Sequence, residues 1–132
     1  MKHPERVADY LEHIIQASSR AVDYAGDADN FEDFMRDTRT QDAVVRNIEI
    51  IGEAVTQLQK ADPDFTAAHP NIPWEVMRGM RNIVVHEYFG VDPSVVWKTV
   101  RNDLPPLIEK VQFLLSLTRD PEPPGHDFTI KR

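Results

Sequence analysis

Two arginines, an amide, an imidazole and a phenol crowd into one short stretch of this chain, as Arg78, Arg81, Asn82, His86 and Tyr88. An imidazole with its ordinary pKa of ~6.5 can take or give a proton near neutral pH. A guanidinium stays charged at any working pH and grips oxyanions with a planar fork. Placed on one helix at about 100° per residue, Val76, Met77, Met80, Ile83 and Val84 share an arc of about 120°, and the five polar residues fall on the other side. Arg81 and Tyr88 nearly eclipse, while Arg78, Asn82 and His86 form a second row. Glu87 would point inward, so either the helix frays near Gly90 or Glu87 finds a buried partner. A plain solvent face is one reading of this pattern. Val85, in the middle of the polar face, favours an interface, and a two-fold axis there would bring two Arg/His sets together.

The elements that position these residues read as helices, with no convincing strand. The expected fold is all-α, an up-and-down bundle of four to five helices dimerising through the face that carries Arg81 and His86. A first helix runs from about Pro4 to Ala25, with Val7, Tyr10, Leu11, Ile14, Ala17, Ser18 and Ala21 at helical spacing and Gly26 as its stop. Residues 27–40 read as acidic turns around Phe31, Phe34 and Met35. A second long helix spans about Thr40–Lys60, its stripe being Val44, Ile48, Ile51, Val55 and Leu58. Gly52 inside it suggests a close approach. Residues 61–73, with three prolines, read as a loop with one turn. Pro73 opens the motif helix, and Asp92-Pro93 caps the last one, whose Pro105-Pro106 predicts a kink or restart near Asp103. Residues 1–117 form the expected domain, and 118–132 a flexible proline-rich tail.

Composition narrows the function. The 132 residues suit one domain, and the 41% hydrophobic and 28% charged content is that of a globular protein. With no cysteine, disulfides and thiolate metal sites are excluded, and a reducing compartment is the easier setting. No signal-peptide core and no apolar run of ~20 residues is present, so a cytoplasmic protein without a membrane span is expected. A net charge of -7 argues against nonspecific coating of nucleic acid, but allows a local basic cleft. The acids from Asp23 to Asp42 read as a solvated face or a surface for a basic partner. His3, His13, His69 and His126 are scattered without a second ligand at metal spacing, so neither metal nor cofactor is expected. Glu49 and Glu53 read as a solvated or Arg46-paired face, and Trp74 and Trp97 as core or interface anchors.

Arg81-Asn-Ile-Val-Val-His86-Glu-Tyr88 resembles the R-x4-H-x-Y motif of HEPN toxins, in particular the HepT-like branch. Asp42-Ala-Val-Val-Arg46-Asn-Ile-Glu49-Ile-Ile-Gly52-Glu53-Ala54 is similar to that branch's second-helix signature, and Pro73-Trp74, Gly79-Met-Arg81-Asn82 and Tyr88-Phe-Gly-Val-Asp92 to the run around its active site. The resemblance covers about residues 5–117. It implies a homodimeric helical bundle that cleaves RNA without metal at a composite cleft, leaving a 2′,3′-cyclic phosphate. Arg81 and His86 are then the catalytic pair. Asn82 is a supporting residue, and Arg78 and Arg46 are candidate RNA contacts. The implied antitoxin is a minimal nucleotidyltransferase that adds AMP to Tyr88, where a bulky anion beside Arg81 would block RNA. The alternative is a non-catalytic, nucleotide- or substrate-binding subunit that partners a nucleotidyltransferase.

Overall fold

A computed structural model describes residues 4–85 and 92–118, with backbone alone for residues 4, 5, 81 and 83–85. Every element among them is helical: α1 (Pro4–Ala25), α2 (Phe31–Arg36), α3 (Thr38–Ala61), α4 (Pro63–Ala68), α5 (Trp74–Val85), α6 (Pro93–Lys98), a π turn (Thr99–Asp103) and α7 (Leu104–Thr118). None of these helices is long and apolar enough to cross a membrane.

The stripes read from the sequence make the core. On α3, Val44, Ile48, Ile51, Val55 and Leu58 are fully buried, and α1 meets them with Val7, Leu11, Ile14, Ala17 and Ala21. α3 packs α1 on one side and α5 on the other, and α7 closes the bundle against α1. α1 ends where Gly26 donates to the carbonyls of Val22 and Asp23 at 3.0 and 3.1 Å. A Cβ there would stand 3.2 Å from the Asp23 oxygen, a close approach that suits glycine.

Two stretches expected as turns are short helices, and the reason lies in their caps. Asn30 accepts from the Asp33 amide to start α2, Asp37 accepts from the Thr40 amide to start α3, and Asp62 accepts from the Phe65 amide to start α4. Such side chains satisfy amides that a helix start leaves unpaired. Part of the acidic run between Asp23 and Asp42 is therefore capping chemistry. α2 is also anchored from outside: Phe34 is fully buried, and its ring lies 5.1 Å from that of Trp97, over which Arg101 sits at 4.8 Å.

The expected restart near Asp103 takes another form. Pro105 and Pro106 lack N–H groups, and their rings crowd the carbonyls four residues back, at Arg101 and Asn102. The chain widens instead of breaking. Leu104 donates to the carbonyl of Thr99, five residues back, and the backbone on either side of the π turn stays right-handed helical. Val96, Val100, Leu104, Leu107, Val111 and Leu114 thus line one buried seam across the turn. The described helix ends at Thr118, and the proline-rich tail expected over 118–132 lies outside the described residues from 119 onward.

Two stability predictions follow from the caps and the core. Phe34→Ala should cost about 3–5 kcal/mol in urea unfolding, while Phe113→Ala, at a side chain 65% exposed, should cost about 0.5 kcal/mol or less. The Asp37 carboxyl is held below the usual carboxylate value, first by the Thr40 hydroxyl and then by the Thr40 amide. A lowered folded-state pKa gives stability that is present above the ordinary value and lost as pH falls through the folded one. The advantage of the native chain over Asp37→Ala, read from urea midpoints, should therefore shrink below about pH 4. A constant difference down to pH 2 would contradict the capping assignment.

Candidate active site

α5 carries the first part of the motif, and its start is fixed by local bonds. The Trp74 indole donates to the His69 carbonyl at 3.0 Å, and the Met77 amide donates to the Pro73 carbonyl at 3.0 Å. Trp74 is buried as a core anchor, and Met77 and Met80 continue the buried arc. Val76, expected in the core, is instead 57% exposed. The arc centres on Met77, and Val76 stands about 100° away from it in helical register. Counting Val76 as core rotates the expected face away from the observed one. In the observed register Arg78 and Asn82, four residues apart, are exposed together on the outer side of α5.

Arg78 is held at the flank between α3 and α5. It donates to Glu75 at 2.7 Å and to Gln59 at 3.2 Å, and Gln59 donates to Glu75 at 3.1 Å. This triangle ties the end of α3 to the start of α5, so the two helices run antiparallel. At about 1.5 Å of rise per residue in each, the last turn of α5 stands level with roughly residues 50–54 of α3. His86 and Tyr88, the remaining motif residues, lie outside the described residues.

Arg46 is placed elsewhere. It lines a groove of about 420 Å³ between α1 and α3, with Tyr10 and His13 from α1 and Glu49, Ile50 and Glu53 from α3. Its guanidinium is 3.8 Å from Glu49 and largely exposed, the weak surface pairing expected from the sequence. The fold thus groups Arg78 with Asn82 on α5 and sets Arg46 on the other flank of α3. The groove itself went unread in the sequence. Tyr10 counted there as a core residue, and only the pairing of α1 with α3 shows that it borders an opening. His69 caps α4 and its ring packs tilted against Phe65 at 4.8 Å, and no group of three metal-ligating side chains occurs among the described residues.

The family model described as Ribonuclease HepT-like matches residues 8–114, a span that includes Arg46, Arg81, His86 and Tyr88. The chain belongs to the HepT-like family. Its relatives include a protein of Thermococcus cleftensis named "Probable ribonuclease HepT", 45% identical over 80% of this chain and 93% of its own length. A candidate RNase of Caldanaerobacter subterraneus subsp. tengcongensis is 40% identical over 80% of this chain and 91% of its own. A candidate RNase of Methanocaldococcus jannaschii is 34% identical over 82% and 95%. No solved structure matches. The membership agrees with the all-helical bundle described above.

Gly79 offers a test of the α5 face. It lies inside the helix, and a Cβ at this position would meet nothing within 4 Å among the described residues. Among the described residues nothing demands glycine here, and glycine costs a helix about 1 kcal/mol against alanine. Gly79→Ala should raise the unfolding free energy of dilute protein by about that amount. A loss of stability would mean that the chain's own atoms already fill the space.

Proposed function

We propose that this chain is a metal-independent endoribonuclease and the toxin of a toxin–antitoxin pair. The observation that carries the reading is the complete string Arg81-x4-His86-x-Tyr88 inside the span matched to the HepT-like family, whose named relatives are ribonucleases. The exposed Val76 and the open space at Gly79 support α5 as a face that meets another molecule. A two-fold dimer through that face supplies two imidazoles from one His86 per chain.

The chemistry needs no further group. One His86 imidazole takes the proton of the 2′-hydroxyl, whose oxygen attacks the phosphorus. The P–O5′ bond breaks, and the imidazolium of the second His86 protonates the leaving 5′ oxygen. Arg81 holds the phosphate and offsets the charge that builds on its oxygens, with Asn82 as a supporting hydrogen-bond donor. Arg78 reaches RNA only by exchanging its bonds to Glu75 and Gln59. Arg46, on the far flank, is left to a more distant part of the RNA. The antitoxin is a minimal nucleotidyltransferase that transfers AMP from ATP to the Tyr88 oxygen with release of pyrophosphate, and the added phosphate competes with RNA for Arg81.

Purified, unmodified protein in EDTA should cleave RNA, and His86→Ala and Arg81→Ala should each lower the rate by about 10²–10⁴-fold. Co-expression with a cognate minimal nucleotidyltransferase should add the mass of AMP to the native chain and none to Tyr88→Phe. Cleavage that survives in His86→Ala would overturn the catalytic assignment, and AMP on Tyr88→Phe would overturn the modification site.

A further inference from the structure

We propose that the groove between α1 and α3 is a base-reading subsite that takes a guanine of the bound RNA, an inference that rests on the ribonuclease reading above. Two carboxylates, those of Glu49 and Glu53, stand on its α3 wall. Glu49 is half-buried at the groove wall, and among the described residues its carboxylate accepts no hydrogen bond, its ion pair being the 3.8 Å approach of Arg46. The groove thus presents a carboxylate that its described partner, the largely exposed Arg46, holds only loosely, so its oxygens can turn to a ligand's donors. Glu53 stands one turn further along the same wall and accepts from Gln57 at 3.3 Å.

The wall opposite is aromatic. Tyr10 packs against the core with its half-buried ring bordering the groove, and Ile50 and Ala54 complete an apolar floor. A flat ring beside an apolar floor suits a base, because stacking on an aromatic side chain requires only a π face. The volume of about 420 Å³ is that of a small-ligand site.

The donor pattern selects the base. Guanine alone among the four presents two adjacent donors, N1–H and N2–H, on its pairing edge, which match the two oxygens of one carboxylate. Adenine and cytosine each place a ring-nitrogen acceptor beside their amino group, and uracil flanks its N–H with two carbonyls, so each sets a lone pair against a carboxylate oxygen. The carboxylates also exclude the phosphate backbone from the groove floor. Arg46, 72% exposed at the mouth, is the group that meets the attached phosphate. The groove residues Ile50, Glu53 and Ala54 stand at the level of the last turn of α5, on the other flank of α3. An RNA that lies on α5 and passes around α3 therefore brings a more distant nucleotide, and not the one next to the cut, to the groove.

The test is binding, so it does not depend on cleavage. Amide shifts of the full-length chain are followed with GMP, AMP, CMP and UMP, and the affinity of His86→Ala is measured for decauridine with and without one central guanosine. GMP should shift amides of residues 10–13 and 46–57 and bind at least about tenfold more tightly than the other three, and the single guanosine should tighten RNA binding by about as much. Glu49→Gln, an isosteric change on a helix surface, should abolish both preferences. Tyr10→Leu should weaken all four nucleotides alike. Equal binding of the four, shifts outside the groove, or an unchanged guanine preference in Glu49→Gln would overturn the proposal while leaving the ribonuclease reading to its own assay. A GMP preference without a guanosine preference in RNA would also overturn it, and would give the groove to a free guanine nucleotide.

Discussion

Everything in this molecule leans on the buried face of α3. Its five apolar residues from Val44 to Leu58 are sealed completely, and no single neighbour is wide enough to do that. α1 must cover one flank and α5 the other, and the solvent edge left between α1 and α3 is the groove. The hydrophobic demand of one helix thus decides where a polar site can form.

That constraint also explains the division of labour among the charged residues. On the α5 flank, Gln59, Glu75 and Arg78 spend their hydrogen bonds on one another and fix the antiparallel register. On the α1 flank, Arg46 and Glu49 are only loosely paired. The first set is a joint that levels the end of α5 with the middle of α3. The second retains capacity for a ligand. Two proposed parts of one RNA surface, the face of α5 and the base reader on the other flank of α3, thereby share one level of the bundle.

The long helices were legible in the sequence because each must bury a wide stripe, and a stripe repeated over several turns survives local exceptions. The stripe of α3 holds residue for residue, and that of α1 holds apart from Tyr10, which borders the groove. α2 and α4 were not legible, because a six-residue helix has no stripe to read; their existence depends on Asn30, Asp37 and Asp62 as caps and on Phe34 finding Trp97 from a distant part of the chain. Pro105-Pro106 signalled a disturbance, but not that a π turn would absorb it. In the site, the spacing of Arg81, His86 and Tyr88 needed no structure. The rotation of α5 did, since Val76 is as apolar as its neighbours and only packing puts it outside. The groove was hidden for a similar reason: Tyr10 and Glu49 become partners only when α1 lies on α3.

In the proposed reaction a guanidinium and two imidazoles, without metal, carry out a transesterification, the imidazoles moving its protons. The 3′ end of the RNA product tests it most directly. RNA cut by the native protein in EDTA should end in a 2′,3′-cyclic phosphate, because the 2′ oxygen is the nucleophile. Products ending in a 3′-hydroxyl, or cleavage that appears only when a divalent metal is restored, would contradict the account.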